Sequence, residues 1–445
     1  MTKRKTDKPA VVPFRATQVG ETRPRWWWVE ASVWTERMLT ALESGVKGGI
    51  WFSLIDKVYS ERNLQAAFTA VAANRGAAGV DHVTIEQFAA RLTENLDNLH
   101  TSLQAETYVP QAVRRVWIPK PGTNQQRPLG IPTVRDRVVQ AALRSVLEPI
   151  FERDFAEQSY GFRPGRSCQD ALARVDELLK AGYTYVVDAD LKSYFDTIPH
   201  DKLMDRLRQK VADSRVLALI AAFLKAGILD GLKELTPEEG SPQGSVISPL
   251  LSNIYLDPLD HQMAAAGFQM VRYADDFVVL CRSRQEAEAA LEVIRRWVTE
   301  AGLTLHPEKT RIADANREGE GFDFLGYHFE RGYRWPRPKS IQKLKTALRP
   351  KTRRANGRCM PAIIADINRT LQGWFGYFRH SHYTTFEPID GWVRMRLRSI
   401  LRKRQKKRGR GRGKDHQRWT NAYFAKLGLY TLKTAHAIVS QSSSR

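Results

Sequence analysis

Residues 269–282 read Gln269-Met-Val-Arg-Tyr-Ala-Asp-Asp-Phe-Val-Val-Leu-Cys-Arg282, and their reading decides the fold. Two short apolar runs, Gln269 to Tyr273 and Phe277 to Arg282, are separated only by Ala274, Asp275 and Asp276, the pattern of a β-hairpin. The turn lacks the glycine that a tight hairpin favours and carries two acids instead. A solvated turn explains an isolated Asp-Asp pair. A second acidic run changes that reading, because Tyr183-Thr-Tyr-Val-Val-Asp-Ala-Asp190 is a β-rich segment ending in Asp188 and Asp190, with Asp196 close behind. If these strands are neighbours in one sheet, Asp190 and Asp275 face each other across it. Such a pair can bind two divalent ions ~3.5–4 Å apart, the arrangement that activates an attacking oxygen and stabilises a leaving one in phosphoryl transfer. An all-oxygen site suits Mg²⁺, which keeps waters and substrate phosphate as its other ligands.

Moving outward from the acids, Gly240-Ser-Pro-Gln-Gly-Ser245 is a tight loop leading into a helix, suited to close backbone approach by a nucleotide. Upstream, Lys120 and Arg127 are two cations on what reads as one hairpin: Val113 to Ile118 a strand, Pro119 to Asn124 a turn, Arg127 to Ile131 the continuation. Downstream, Leu305-His-Pro-Glu-Lys309 supplies a third. Helical periodicity marks Thr84 to Leu103, Asp136 to Glu152, Gln169 to Lys180, Pro199 to Leu224, Leu250 to Ala265 and Gln285 to Ala301, and Phe322 to Phe329 reads as a strand. Strands and helices interleave, which makes the class α+β or α/β.

Charge is distributed unevenly. The 445 residues carry 70 Lys+Arg against 48 Asp+Glu, a net +22, yet residues 331–445 alone hold 29 basic against 4 acidic residues. A neutral body with a cationic end points to a polyanionic partner, nucleic acid being the commonest. Arg394 and Arg398, then Arg402, Lys403, Arg404, Lys406, Lys407, Arg408, Arg410 and Arg412, form its densest part and are expected to lie along phosphates. Cys168, Cys281 and Cys359 are too dispersed for a zinc site or a disulfide framework, which fits a reducing cytosol. No apolar stretch reaches the ~18 residues of a membrane span, so the expectation is a cytoplasmic protein with no membrane partner.

The order of motifs closely resembles the reverse transcriptase/maturases encoded by bacterial group II introns: Arg127-Pro-Leu-Gly-Ile-Pro, Ser159-Tyr-Gly-Phe-Arg-Pro-Gly, Asp190-Leu-Lys-Ser-Tyr-Phe-Asp, Ser241-Pro-Gln-Gly, Tyr273-Ala-Asp-Asp, Phe322-Asp-Phe-Leu-Gly-Tyr, then Leu371-Gln-Gly-Trp-Phe-Gly-Tyr-Phe-Arg. The resemblance implies a right-hand polymerase of the α+β class: an N-terminal extension (1–50), fingers and palm with an antiparallel palm sheet (51–330), a helical thumb or maturase domain (331–400), and a basic nucleic-acid-binding region (401–445). It implies Asp190 and Asp275 as metal ligands assisted by Asp276, and Lys120 and Arg127 on the triphosphate. Leu191, Gln243 and Gly244 would meet the nucleotide, and Lys309 would protonate the leaving pyrophosphate. Phe195 stands where a ribonucleotide polymerase needs room and a partner for the 2′-OH, so it argues for DNA synthesis. The implied substrates are dNTPs with two Mg²⁺ ions. The implied partners are group II intron RNA, an RNA template/DNA primer duplex and target DNA, engaged in splicing and retrohoming.

Many members of that family end in a Cys/His-containing endonuclease domain; no Cys pairs follow Gly409, so the short form is expected. Two other readings stay open at this level. One is a splicing cofactor without polymerase activity. The other is a reverse transcriptase of the same chemistry serving a host function such as phage defence or CRISPR spacer acquisition.

Overall fold

A computed structural model describes residues 25–119, 126–230, 233–235, 239–241, 244–409, 411 and 413–442. Lys120, Gln243, Arg410 and Arg412 lie outside the described residues. The described residues form two compact units, one within the ranges 25–119, 126–174 and 189–311, the other within 175–188 and 312–442.

In the first unit, Trp34 is fully buried and its indole donates to Ser145 O at 3.1 Å, which seats the N-terminal segment and helix α1 (Glu36–Glu43). Helix α2 (Glu61–Ala73) packs on α4 (Val134–Glu152), the long buried helix of this unit. The single helix expected over Thr84 to Leu103 is two: Ile85–Ala90, closed by a capping box between Thr84 and Gln87, and α3 (Leu92–Gln104). The break is at Arg91, where the Asn95 side chain takes the Phe88 carbonyl at 3.0 Å and substitutes for a helical bond.

Strands β1 (Val113–Pro119) and β2 (Gln126–Ile131) pair antiparallel from Arg114↔Ile131 to Pro119↔Gln126, the hairpin read from the sequence. Helix α5 (Cys168–Lys180) and strand β3 (Tyr185–Asp190) follow. The helix expected over Pro199 to Leu224 is also divided, into α6 (His200–Arg208) and α7 (Ser214–Lys225). Asp213 starts α7 by accepting from the Arg215 and Val216 amides, as an N-cap does. Two strands absent from the sequence reading, β4 (Ile228–Asp230) and β5 (Lys233–Leu235), extend the first sheet in the order β2-β1-β4-β5.

After α8 (Ser248–Ala265) come β6 (Gln269–Tyr273), β7 (Asp276–Cys281), α9 (Arg284–Glu300) and β8 (Arg311–Asp314), and the acid-bearing sheet has the order β6-β7-β3-β8. Every residue of β7 from Phe277 to Cys281 is buried, so this strand is covered on both faces.

The second unit corrects one expectation: Phe322 to Phe329 is not one strand. Leu325 (φ +46°) and Gly326 (φ +84°) turn it into β9 (Phe322–Phe324) and β10 (Tyr327–Glu330), and β11 (Tyr333–Pro336) completes a meander. The remainder is helical: α10 (Pro338–Lys351), α11 (Met360–Phe378), α12 (Phe386–Arg404) and α13 (Leu432–Ser442). They share a core that includes Leu344, Ile367, Leu371, Phe375 and Leu397. Among the described residues, no helix is long and apolar enough to cross a membrane.

Candidate active site and nucleic-acid interface

The register of β6 and β7 ends at Tyr273↔Asp276, leaving Ala274 and Asp275 as a two-residue loop. Ala274 adopts φ +59°, a conformation that costs a non-glycine residue about 1–2 kcal/mol. Gly161 lies against this turn through bare backbone: a Cβ there would stand 2.2 Å from the Ala274 amide nitrogen. The Ser159-Tyr-Gly motif therefore touches the acidic loop directly.

Asp275 and Asp190 are brought together. Burial raises the Asp275 carboxyl above the usual carboxylate range, and the negative charge of Asp190 raises it further. The backbone explains how a third group arrives. Lys192 N donates to Thr304 O at 2.8 Å and His306 N to Asp190 O at 2.7 Å, so the segment 304–306 runs beside the end of β3. Three residues on, the Lys309 ammonium donates to Asp190 Oδ2 at 2.6 Å. Leu191, buried and bridged to Leu305, fixes the same junction.

Asp276 is exposed at the start of β7. Among the described residues no three His, Cys, Asp or Glu side chains are grouped to hold a metal ion. Two facing carboxylates fit a hard divalent cation whose other ligands are water, backbone carbonyl and substrate phosphate.

The glycine loop docks between two of the motifs. Ser241 N donates to Phe195 O at 2.7 Å and Gly240 N to Ile198 O at 2.9 Å. At its other end Gly244 has φ +105°, and a Cβ there would meet Gly130 O at 2.4 Å, on the strand that carries Arg127. Gly244 thus serves packing between loop and β2, a reason the sequence did not disclose. Gln140, buried on α4, accepts from Ser245 Oγ and Val246 N, both at 2.8 Å, and pins the loop's exit. Phe195 is half-buried beside the site, whereas its neighbour Tyr194 is the core aromatic, with its hydroxyl donating to Ser252 O at 2.8 Å. Arg127 is exposed on β2.

The basic region is heterogeneous. Lys403, Arg404, Lys406, Lys407 and Arg408 are exposed, and Arg394 is half-buried. Arg398 differs from expectation: it is 4% exposed, and its guanidinium donates to Trp419 O at 2.9 Å and Asn421 Oδ1 at 3.0 Å. It ties the chain after the basic loop to α12 and leaves no free face for a phosphate. Arg402 is engaged similarly, by Asp415 and the Arg408 carbonyl. Sequence reasoning also missed Gln140 and a buried cluster on β6 and α8 in which the Arg272 guanidinium donates to Asp260 Oδ1 and Asn253 Oδ1. The one available signal was an arginine in the middle of an apolar strand, Met270-Val-Arg-Tyr273.

Carboxylates paired at the end of one strand and the tip of an adjoining hairpin, beside a glycine loop, define a nucleotidyl-transferring polymerase. Comparison with known proteins places it further. The family model for reverse transcriptase (RNA-dependent DNA polymerase) matches residues 118–329, and that for the group II intron maturase-specific domain matches residues 341–419. Protein YkfC of Escherichia coli (strain K12) is 37% identical over 292 residues, 57% of this chain and 76% of that protein. Group II intron-encoded protein LtrA of Lactococcus lactis subsp. cremoris is 40% identical over 196 residues, 44% of this chain but 32% of LtrA. A solved structure titled "Partial Cas6-RT-Cas1--Cas2 complex" shares 24% identity over 56% of this chain and 41% of that one, with a TM-score of 0.37. The chain belongs to the group II intron reverse transcriptase/maturase family: an RNA-directed DNA polymerase joined to a maturase domain, whose members use divalent metal ions and dNTPs and work on nucleic acid.

Proposed function

We propose that this chain copies group II intron RNA into DNA during retrohoming and, as a ribonucleoprotein with that RNA, favours its splicing-active fold. The observation that carries the polymerase reading is the junction of Asp190, Asp275 and Lys309, which three segments distant in sequence build at one sheet end. Asp190 and Asp275 would hold two Mg²⁺ ions, which when bound supply positive charge to the attacking and leaving oxygens. Asp276 adds negative charge at the same turn.

The protein's own residues do the rest. Arg127 and Lys120 donate charge-assisted hydrogen bonds to the triphosphate of a dNTP. The Gln243–Gly244 loop and the backbone at Leu191 bound the sugar and base. Phe195 fills the space of a 2′-OH, leaving a ribonucleotide's hydroxyl buried without a partner. As the primer 3′-OH gives up its proton to solvent water and attacks the α-phosphorus, the bond to the bridging oxygen breaks and the Lys309 ammonium gives its proton to the departing pyrophosphate. The exposed cations after α12 hold intron RNA, template/primer duplex and target DNA through phosphates. Binding energy from that surface favours splicing only insofar as folded intron RNA meets it better than unfolded RNA does.

Primer extension on an RNA template tests this. The wild-type chain should make cDNA, and Asp275→Asn should lower the rate by on the order of a thousandfold, the loss of several kcal/mol of charge stabilisation. RNA retention by Asp275→Asn should be unchanged. Equal extension by wild type and variant would refute the assignment.

A further inference from the structure

Arg272 lies in β6 two residues before the acidic loop and is completely buried, as is its partner Asp260 on α8. Its apolar neighbours Val271 and Phe277 give no reason for a guanidinium there. Its hydrogen bonds do. Nε donates to Asp260 Oδ1 at 2.8 Å, and Nη2 to Asp260 Oδ2 at 2.5 Å. Nη1 donates to two acceptors, Asn253 Oδ1 at 2.9 Å and Ala274 O at 2.9 Å. Asn253, also buried on α8, passes the connection on by donating Nδ2 to Gly161 O at 2.8 Å. The Arg272 backbone pairs with Gln158 and Tyr160 on the segment that leads to Gly161. One planar fork therefore joins helix α8, the Gly161 backbone and the first residue of the catalytic loop.

A buried ion pair is weak evidence for stability, because well-packed apolar residues in its place are often as stable or more so. Here one arm of the pair ends on Ala274, whose positive φ places Asp275, and the loop carbonyl has no ladder partner of its own. We propose that Arg272 is a positioning residue for nucleotidyl transfer: clamped to α8 by Asp260 and Asn253, it holds the Ala274 carbonyl and so fixes where Asp275 meets Asp190. The inference rests on the polymerase reading above. Lysine does not substitute, since an ammonium lacks the rigid fork that reaches Asp260, Asn253 and Ala274 together.

The test uses the full chain. Arg272→Met/Asp260→Leu removes both charges at similar volume, Arg272→Lys keeps the charge without the fork, and Asn253→Ala removes one strut. Four quantities are read: cooperative thermal unfolding, RNA affinity by filter binding, the single-turnover rate of primer extension on RNA, and Mn²⁺ half-saturation followed by water-proton relaxation. A folded double variant is expected to bind RNA as the wild type does, to extend primers about a hundredfold more slowly, the size of effect that a small misplacement of reacting groups produces, and to need several-fold more Mn²⁺. A folded double variant within twofold of wild type in both rate and Mn²⁺ half-saturation would overturn the proposal and leave the pair a scaffold. If the double variant does not unfold cooperatively, Arg272→Lys is read by the same two criteria. If the wild type itself extends no primer, the polymerase reading fails, and Mn²⁺ half-saturation alone decides the role of Arg272.

Discussion

The Lys309 ammonium donates at 2.6 Å to Oδ2 of Asp190, the carboxylate whose charge also raises Asp275. One cation from the chain thus already stands on an oxygen that a divalent ion would take. Lys309→Ala should therefore change two quantities in opposite directions. Without the competing ammonium, half-maximal Mg²⁺ for primer extension should fall; without a proton donor for pyrophosphate, the saturated rate should drop about a hundredfold. Steady-state extension over a Mg²⁺ series measures both, and a parallel rise in the Mg²⁺ requirement would contradict the competition.

Phe195 carries the sugar discrimination. Because its ring is half-exposed beside a buried Tyr194, Phe195→Val should open space without emptying the core. The preference for dNTP over rNTP, as the ratio of kcat/KM, should fall by about 10²-fold or more. Competitive incorporation opposite an RNA template reads it directly. Unaltered preference would assign the discrimination elsewhere.

The acid-bearing hairpin was legible because its chemistry is local: strand periodicity stops at Tyr273 and resumes at Phe277, and Ala274 with two acids lies between. What Gly161 and Gly244 do was not legible, since each is required by the backbone of a segment far away in sequence, Ala274 and Gly130. The second unit shows the same limit at shorter range. Phe322 to Phe329 reads as one strand, and only the Leu325-Gly326 pair hints at the turn that splits it. Charge counting located the basic region but could not separate Arg398, which fastens the chain internally, from the exposed lysines next to it.

That separation has a measurable consequence for the basic surface. Alanine at Lys403, Lys406 and Lys407 should weaken RNA binding and flatten the slope of log affinity against log salt by about 0.7–0.9 for each phosphate that is no longer neutralised. Arg398→Ala should act through stability instead, by stranding the Trp419 carbonyl and Asn421. Filter binding across a salt series, paired with thermal melts, separates the two. An unchanged slope in the triple variant would refute the pairing of these lysines with phosphates.

His328 makes the second unit pH-sensitive. Its bond to Asp323 at 2.8 Å, with Glu330 3.5 Å from its other nitrogen, holds the imidazole above its ordinary value of 6.5. The folded state therefore binds its proton more tightly than the unfolded chain does. The resulting stabilisation is complete below pH 6.5 and is lost as pH rises through the elevated folded value. Asp323→Asn should remove that part of the pH dependence, seen as urea midpoints that differ from wild type at about pH 6 and converge above the folded value. Identical profiles would contradict it.

The most direct measurement is local cleavage by a bound metal. With Fe²⁺ in place of Mg²⁺ and ascorbate added, hydroxyl radicals cut the backbone beside the ion. If Asp190 and Asp275 hold one divalent-ion centre, cuts should appear at both the 188–192 and 273–277 segments, compete away with Mg²⁺, and vanish together in Asp190→Asn. Cutting at one segment alone, or at both but independently of Asp190, would contradict a shared centre and with it the polymerase site.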